Sequence, residues 1–488
     1  LAGTGLATRA LALQALPDRA ATLAGSAALF SGYALFTAYE RSAFGEMAGG
    51  VLLPLLLLLV LRDGNPGATV FRRALDGSAA WLALVVAAAW LSNAPAGVMA
   101  CYLLAAVALA LAVLRRSWAP VVRAAAGAGV GMALACFYIV PAAAEQRWVA
   151  IQQATDDPGL KIENSWLFAR HWANPLLELH DRELLRVSLL AVSMVAVALG
   201  GLLVALLRGR SRDRMPERRW WLPLALIPVA VLLLQLPISL PVWNLLPRLR
   251  FLQFPWRWLA AVEAPMGIFF AMAVRSLWPA RHVLQRALVA VCLVVFLAGA
   301  NAASIFFFQL CDEEDAVAGM LAAYRQGAGF EGVDEYAPPG ADSSLLAMDL
   351  PAACLTGDPD VVLGQGAEGT APAWDASQAS CRAVFAWKGD NPEHLRLSAT
   401  LPEAGYLVLR LRAYPAWALR VNGHAATPQT ERADGLIAVA APQGPVELAA
   451  DWTATDDTLA GRWLSGLGIL LLAGLAAIER RQGRRGLS

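Results

Sequence analysis

LLRVSLLAVSMVAVALGGLLVALL, residues Leu184–Leu207, decides the class of this protein. Twenty or so apolar residues in a row are long enough to cross the hydrocarbon core of a bilayer as a helix. The stretch is not isolated. Hydrophobic residues make up 58% of the 488-residue chain and charged residues only 16%, a balance outside the usual range for a soluble domain. Further apolar runs are read near 1–15, 21–39, 47–61, 79–92, 96–114, 122–142, 220–239, 257–276, 286–308 and 459–478. The expected fold is therefore a polytopic α-helical membrane protein of about ten to eleven spans.

The loops between these runs sort by charge. Arg62, Arg72 and Arg73 fall in one, Arg115, Arg116 and Arg123 in another, and RGRSRDRMPERR (208–219) in a third. Arg281 and Arg286 follow, then a tail with Arg480, Arg481, Arg484 and Arg485. The basic loops alternate along the chain, and the positive-inside rule assigns them to the cytoplasm. The other face then receives Tyr39–Glu46, Ser92–Gly97, the loop from about residue 143 to 183, the FPWRW junction (Phe254–Trp258), and residues from about 310 to 457. The expected location is a bacterial inner membrane, with a large C-terminal part outside the cytoplasm. Lysine occurs only at Lys161 and Lys388, and no basic tract carries interleaved aromatics, so nucleic acid is not an expected partner.

Four regions follow: a multi-spanning domain over 1–310, an irregular or mixed segment over 311–393, a β-sandwich-like domain over 394–457, and a last membrane helix with a basic tail over 458–488. The third rests on HLRLSATL, GYLVLRLRAY, WALRVNGH, GLIAVAAP and PVELAADW, which alternate apolar with polar residues and are separated by turn residues. Asn422–Gly423 between two such runs is a hairpin signal. Cys311, Cys354 and Cys381 lie on the oxidising side, where Cys354–Cys381 is the favoured of three conceivable pairs.

No Walker loop, GxSxG, CxxC or HExxH occurs, and the five histidines show no zinc spacing. No cofactor is identified; a divalent metal is compatible with the carboxylates of the outer face, and no metal ligand is named. Polar residues gather instead at helix mouths: Glu40, Arg41 and Glu46 in YERSAFGE; Arg248, Arg250, Gln253, Trp256, Arg257, Trp258 and Glu263 in and around LRFLQFPWRWLAAVE; and Asp334, Glu335 and Tyr336 in FEGVDEYAP. Tryptophan and arginine at such mouths read first as interfacial anchors. Arginine also grips phosphate through two parallel hydrogen bonds, and a carboxylate beside it can take a proton from a nucleophile. Glu263 falls inside a span, where an ionisable group is costly and marks function by default.

YERSAFGEMAGGVLLPLLLL, LSNAPAG, FYIVPAAAEQRW, LRFLQFPWRWLA, FEGVDEYAP and YPAWALRVNG…GLIAVAAPQGPVEL together resemble the 6-pyruvoyl-tetrahydropterin synthase-related bacterial membrane proteins. The likeness extends to large membrane proteins that glycosylate cell-envelope polymers, and it covers nearly the whole chain. A pterin synthase activity is not implied, because its histidine triad is not visible. The resemblance implies a multi-spanning glycosyltransferase architecture with a polyprenyl-phosphate sugar as donor and an envelope glycan or protein as acceptor. Carboxylates on outer loops do the chemistry in that architecture, with a key aspartate on the first loop. This chain opens in mid-helix after that point, so a longer natural N-terminus is expected. Carried over by motif are Glu46 as the catalytic acidic group and Arg41 and Arg257 as lipid-phosphate ligands. Arg250 joins them on chemistry, with Gln253, Trp256, Trp258, Glu263, Asp334, Glu335 and Tyr336 as substrate contacts. The alternative is a non-catalytic scaffold or binding subunit of a polysaccharide assembly complex.

Overall fold

The computed structural model describes residues 1–62, 78–152, 158–208, 215–277, 286–287, 290, 294, 317–325, 336–346, 350–362, 381–389 and 391–485. The chain forms two units: 1–139 with 157–309 and 462–488, and 140–156 with 310–461.

The first unit is helical. Its elements are α1 (Ala2–Ala12), α2 (Asp18–Leu29), α3 (Gly32–Leu35), α4 (Phe44–Val60), α5 (Ala79–Ser92), α6 (Ala94–Arg115), α7 (Ala119–Leu134), α8 (Cys136–Ala144), α9 (Glu178–Arg208), α10 (Arg218–Leu234), α11 (Leu240–Leu245) and α12 (Leu259–Leu277). Residues of α8 beyond Ile139 already belong to the second unit. Local signals set several ends. Asn93 caps α6 by accepting the Ala96 N–H at 3.1 Å, Pro95 sits in the first turn, and Arg116 stops the helix in the left-handed region.

Four helical stretches are long and apolar enough to cross a membrane: Ala94–Arg115, Pro175–Arg208, Pro255–Leu277 and Asp456–Gln482. The number rises to seven if three bent pairs each count as one span. The described residues thus support four to seven spans, where ten to eleven are expected from sequence. α4 and α5, at 17 and 14 residues, are apolar but short, and the expected span at 286–308 lies almost wholly outside the described residues.

α12 is the hub. It buries nearly every residue from Leu259 to Ala273 and packs against α2, α4, α9 and α10. Such all-round burial needs small residues where backbones meet. At Gly267 an added Cβ would lie 2.4 Å from the Ala24 carbonyl oxygen of α2, and at Gly201 of α9 it would lie 2.8 Å from that of Phe269.

The second unit holds α13 (Val317–Arg325) and eight strands among the described residues: β1 (Ala353–Thr356), β2 (Ala383–Phe385), β3 (His394–Leu401), β4 (Gly405–Arg412), β5 (Trp417–Val421), β6 (His424–Ala425), β7 (Leu436–Ala441) and β8 (Gly444–Trp452). They form two antiparallel four-stranded sheets, ordered β2-β1-β4-β7 and β3-β8-β5-β6. Leu355, Leu407, Leu409 and Ile437 of one sheet bury with Leu397, Leu419, Val446 and Leu448 of the other. β1 and β2 precede His394, so the sheets recruit part of the segment read as irregular. A Cys354–Cys381 disulfide ties β1 to the residues just before β2. Glu145 belongs to this unit too, accepting from Tyr414 Oη and, at 3.2 Å, from Thr455 Oγ1. α14 (Asp456–Arg485) begins after β8 and runs into the first unit.

Candidate functional site

Two irregular segments at helix mouths build the site, and each departs from regular helix for a local reason. In the first, Ser31 breaks the path from α2 and caps α3, its Oγ accepting the Ala34 N–H at 3.1 Å. The chain then widens into a five-residue π-turn, Phe36–Glu40, closed by Arg41 N–H to Phe36 O at 3.1 Å. Ser42 takes a positive φ of 48°, and α4 starts at Phe44. This reversal brings Arg41 against Glu46. The carboxylate sits in the first turn of α4, where the helix dipole favours negative charge.

In the second segment, Arg248 and Gln253 both have φ near 60° and bracket a 3-10 turn, Leu249–Leu252. Pro255 opens another, Pro255–Trp258, which leads directly into α12. The two left-handed residues fold the junction back onto the bundle.

The segments meet at Glu46, which is 3% exposed. Its Oε1 accepts the Tyr33 hydroxyl. Its Oε2 accepts Arg41 Nη1 at 2.8 Å and lies 3.3 Å from Arg257 Nε. The Arg257 contact is an ion pair and not a directed hydrogen bond, since Nε has no hydrogen-bond partner. Arg257 Nη1 donates to Leu252 O at 2.8 Å and makes a longer contact, 3.4 Å, with Gln253 Oε1. Its guanidinium carbon lies 5.2 Å from the centre of the Phe254 ring. Two guanidiniums on one carboxylate leave one positive charge, and the two side chains keep 19% and 13% of their surface open. Such a cluster can accept an anion, with Arg257 Nε as a donor not yet used.

Arg41, Glu46, Arg257 and Gln253 are thus brought together. Arg250 points elsewhere, pairing with Glu163 and donating to Asn244 Oδ1 at 2.8 Å. Trp256 and Trp258 correct the anchor reading: they are 6% and 5% exposed, and their indole nitrogens are buried without partners. Trp256 belongs to an aromatic group, stacked 4.3 Å from Phe254 and 6.4 Å from His180. Trp258 lines an apolar groove together with Tyr102, Val107, Ile227 and Leu249. The backward fold of the junction explains both, because it turns the rings into the protein. Glu263 sits apart from the arginines, against Ser31. Tyr336 is 64% exposed and belongs to the second unit, and Asp334 and Glu335 lie outside the described residues.

Sequence reading missed Tyr33 and Ser31. A tyrosine hydroxyl within an apolar run is a signal for a buried polar partner, and Ser31 stands at a helix start. Elsewhere on this unit His171 Nδ1 lies 2.6 Å from Asp181 Oδ1, and the His171 and His180 rings are 6.1 Å apart. Among the described residues no three His, Cys, Asp or Glu side chains are grouped to hold a metal ion.

The family of the 6-pyruvoyl-tetrahydropterin synthase related domain, a membrane protein, matches residues 27–307. That is more than half of the chain, and it takes in both segments of the site: this chain belongs to that family of membrane proteins. No curated protein and no solved structure matches it.

Proposed function

We propose that this member of the membrane family is a glycosyltransferase of the inner membrane, moving a sugar from a polyprenyl-phosphate donor to a cell-envelope acceptor on the extracytoplasmic side. The observation that carries the reading is the convergence of Arg41 and Arg257 on the single Oε2 of Glu46. A phosphate is the anion that best fits two guanidiniums at a membrane mouth. The arginine-rich loops, read by the positive-inside rule, support the extracytoplasmic side.

In this reading the donor phosphate engages both guanidiniums, draws Arg257 from Glu46 and leaves the carboxylate able to take a proton. The acceptor hydroxyl passes its proton to Glu46 while its oxygen attacks the anomeric carbon of the sugar. The bond from that carbon to the phosphate oxygen breaks, and polyprenyl phosphate leaves with the electron pair, stabilised by the arginines. Arg257→Ala and Arg41→Ala should each lower the affinity for polyprenyl phosphate at least about tenfold, the worth of one charge-assisted hydrogen bond of about 1.5–3 kcal/mol. Glu46→Gln should keep that affinity and lose transfer. Unchanged affinity in Arg257→Ala would remove the phosphate role.

A second reading has its own observation. Both oxygens of Glu46 already have partners, as suits a fixed anchor, and the β-sandwich has a hydrophobic core of its own. In that reading the chain is a scaffold or binding subunit of a polysaccharide assembly complex. Deleting residues 394–452 should then abolish capture of the assembly partners, and Glu46→Gln should leave polymer synthesis unchanged.

A further inference from the structure

Glu263 lies in α12 and is 2% exposed. Among the described residues it forms no ion pair. Its Oε1 is 2.9 Å from Ser31 Oγ. That hydroxyl already accepts the Ala34 N–H, so its own hydrogen is directed to Oε1. Oε2 has no hydrogen-bond partner. It faces Gly50 of α4, where an added Cβ would stand 3.1 Å from Oε2 and 2.9 Å from Thr4 Oγ1. The missing side chain leaves a cavity of about 10 Å³, room for one water-sized particle. Thr4, Tyr33, Thr37, Glu46, Gly50 and Glu263 line it, and Thr37 Oγ1 is likewise buried without a partner.

A buried carboxylate without a counter-charge is untenable inside a membrane domain, and the usual resolution is to bind a proton. Oε1 is occupied by the Ser31 donor, so the proton belongs on Oε2, aimed into the cavity. The titratable groups on that cavity are Glu46 and Tyr33, with Arg41 and Arg257 paired to Glu46. We propose that Glu263 is an intramembrane proton-binding site, which takes up and releases a proton through the cavity it shares with Glu46. The cavity has room for one water-sized particle beside Oε2, and the hydroxyl-bearing Thr4, Tyr33 and Thr37 line it. The proton site is tested without substrate.

The test is infrared difference spectroscopy of the full chain in lipid nanodiscs, between acidic and alkaline buffer. A protonated-carboxyl carbonyl band should appear on acidification, shift in Glu263→Asp and vanish in Glu263→Gln. Dicyclohexylcarbodiimide, an apolar reagent that modifies protonated carboxyls, should label Glu263 with a yield that falls as pH rises. Gly50→Ala, which fills the cavity, should lower that yield several-fold with the helical circular dichroism intact. A band that survives Glu263→Gln would overturn the proposal. So would a Glu263 band that stays constant across the pH range, the mark of a permanently neutral structural group.

Discussion

Arg257 and Arg41 share one oxygen of Glu46, at 3.3 Å and 2.8 Å, although Arg257 stands in the 3-10 turn just before α12 and Glu46 in the first turn of α4. The contact joins two helix mouths through a carboxylate that is almost wholly buried. Removing one partner of a buried pair leaves an uncompensated charge and costs about 3–5 kcal/mol, whereas an exposed pair is worth at most about 1 kcal/mol. Glu46→Gln, which strands both guanidiniums, should therefore destabilise the helical unit by an amount in the upper range, and Arg257→Ala, which leaves Glu46 paired with Arg41, by less. The double substitution should cost less than the sum of the two. Denaturant unfolding in detergent micelles measures the cycle, and strict additivity would mean that solvent already screens the pair.

How much of this site could be read beforehand depends on the residue. Arg41, Glu46 and Arg257 were visible because charged side chains at the ends of apolar runs stand out. Their convergence was not, since it needs the π-turn at Phe36–Glu40 and the left-handed Ser42, Arg248 and Gln253, none of which is a glycine that would announce the bend. Trp256 and Trp258 misled for the same reason: their composition says interface, while the backbone path turns them inward. In the second unit the Asn422–Gly423 hairpin was legible, and both residues adopt the positive φ it requires, 51° and 77°. β1 and β2 were not, because strands of four and three residues are too short to show alternation; β1 is placed by pairing with β4, and β2 by pairing with β1 and by the disulfide.

At Gly267 the backbones of α12 and α2 lie close together. An alanine there would push its Cβ to 2.4 Å from a backbone carbonyl oxygen, which cannot rotate away as a side chain would. Gly267→Ala should cost about 1–3 kcal/mol, the usual range for overpacking, despite the higher helix propensity of alanine. Gly200, one residue from the tight contact at Gly201, meets nothing within 4 Å. Gly200→Ala is therefore the control, and it should be neutral or stabilising. Comparing the melting temperatures of the two variants in micelles checks the packing; equal values would show that the helices separate easily at Gly267.

Arg432 and Asp434 form the most buried ion pair among the described residues, with side chains 1% and 2% exposed. The pair is satisfied on all sides: Arg432 Nη2 also reaches Val361 O at 2.7 Å, and Asp434 Oδ1 accepts the Leu436 N–H at 3.0 Å. It thus pins the segment after β1 to the start of β7. Arg432→Ala should strand the Asp434 charge and cost about 3–5 kcal/mol. Hydrogen exchange of the β7 amides should rise accordingly, with little change in α12. A uniform rise in both units would contradict a local role.

Asp451, on β8, supplies the pH dependence of the sandwich. Hydrogen bonds from His394 first and Arg396 second, at 2.8 and 2.7 Å, hold its carboxyl below the usual carboxylate range. A group whose folded pKa is depressed favours folding above its unfolded value, about 3.9 for aspartate. That contribution is lost as pH falls through the lower, folded value. Acidification through and below the ordinary carboxylate range should therefore raise hydrogen exchange along β3 and β8, which pair from His394↔Asp451 to Leu401↔Gly444. Asp451→Asn removes the titrating group, so its exchange rates, corrected for the intrinsic pH effect, should be higher near neutrality and flatter into acid. If the wild-type and Asp451→Asn profiles run parallel across that window, the acid sensitivity comes from another carboxylate.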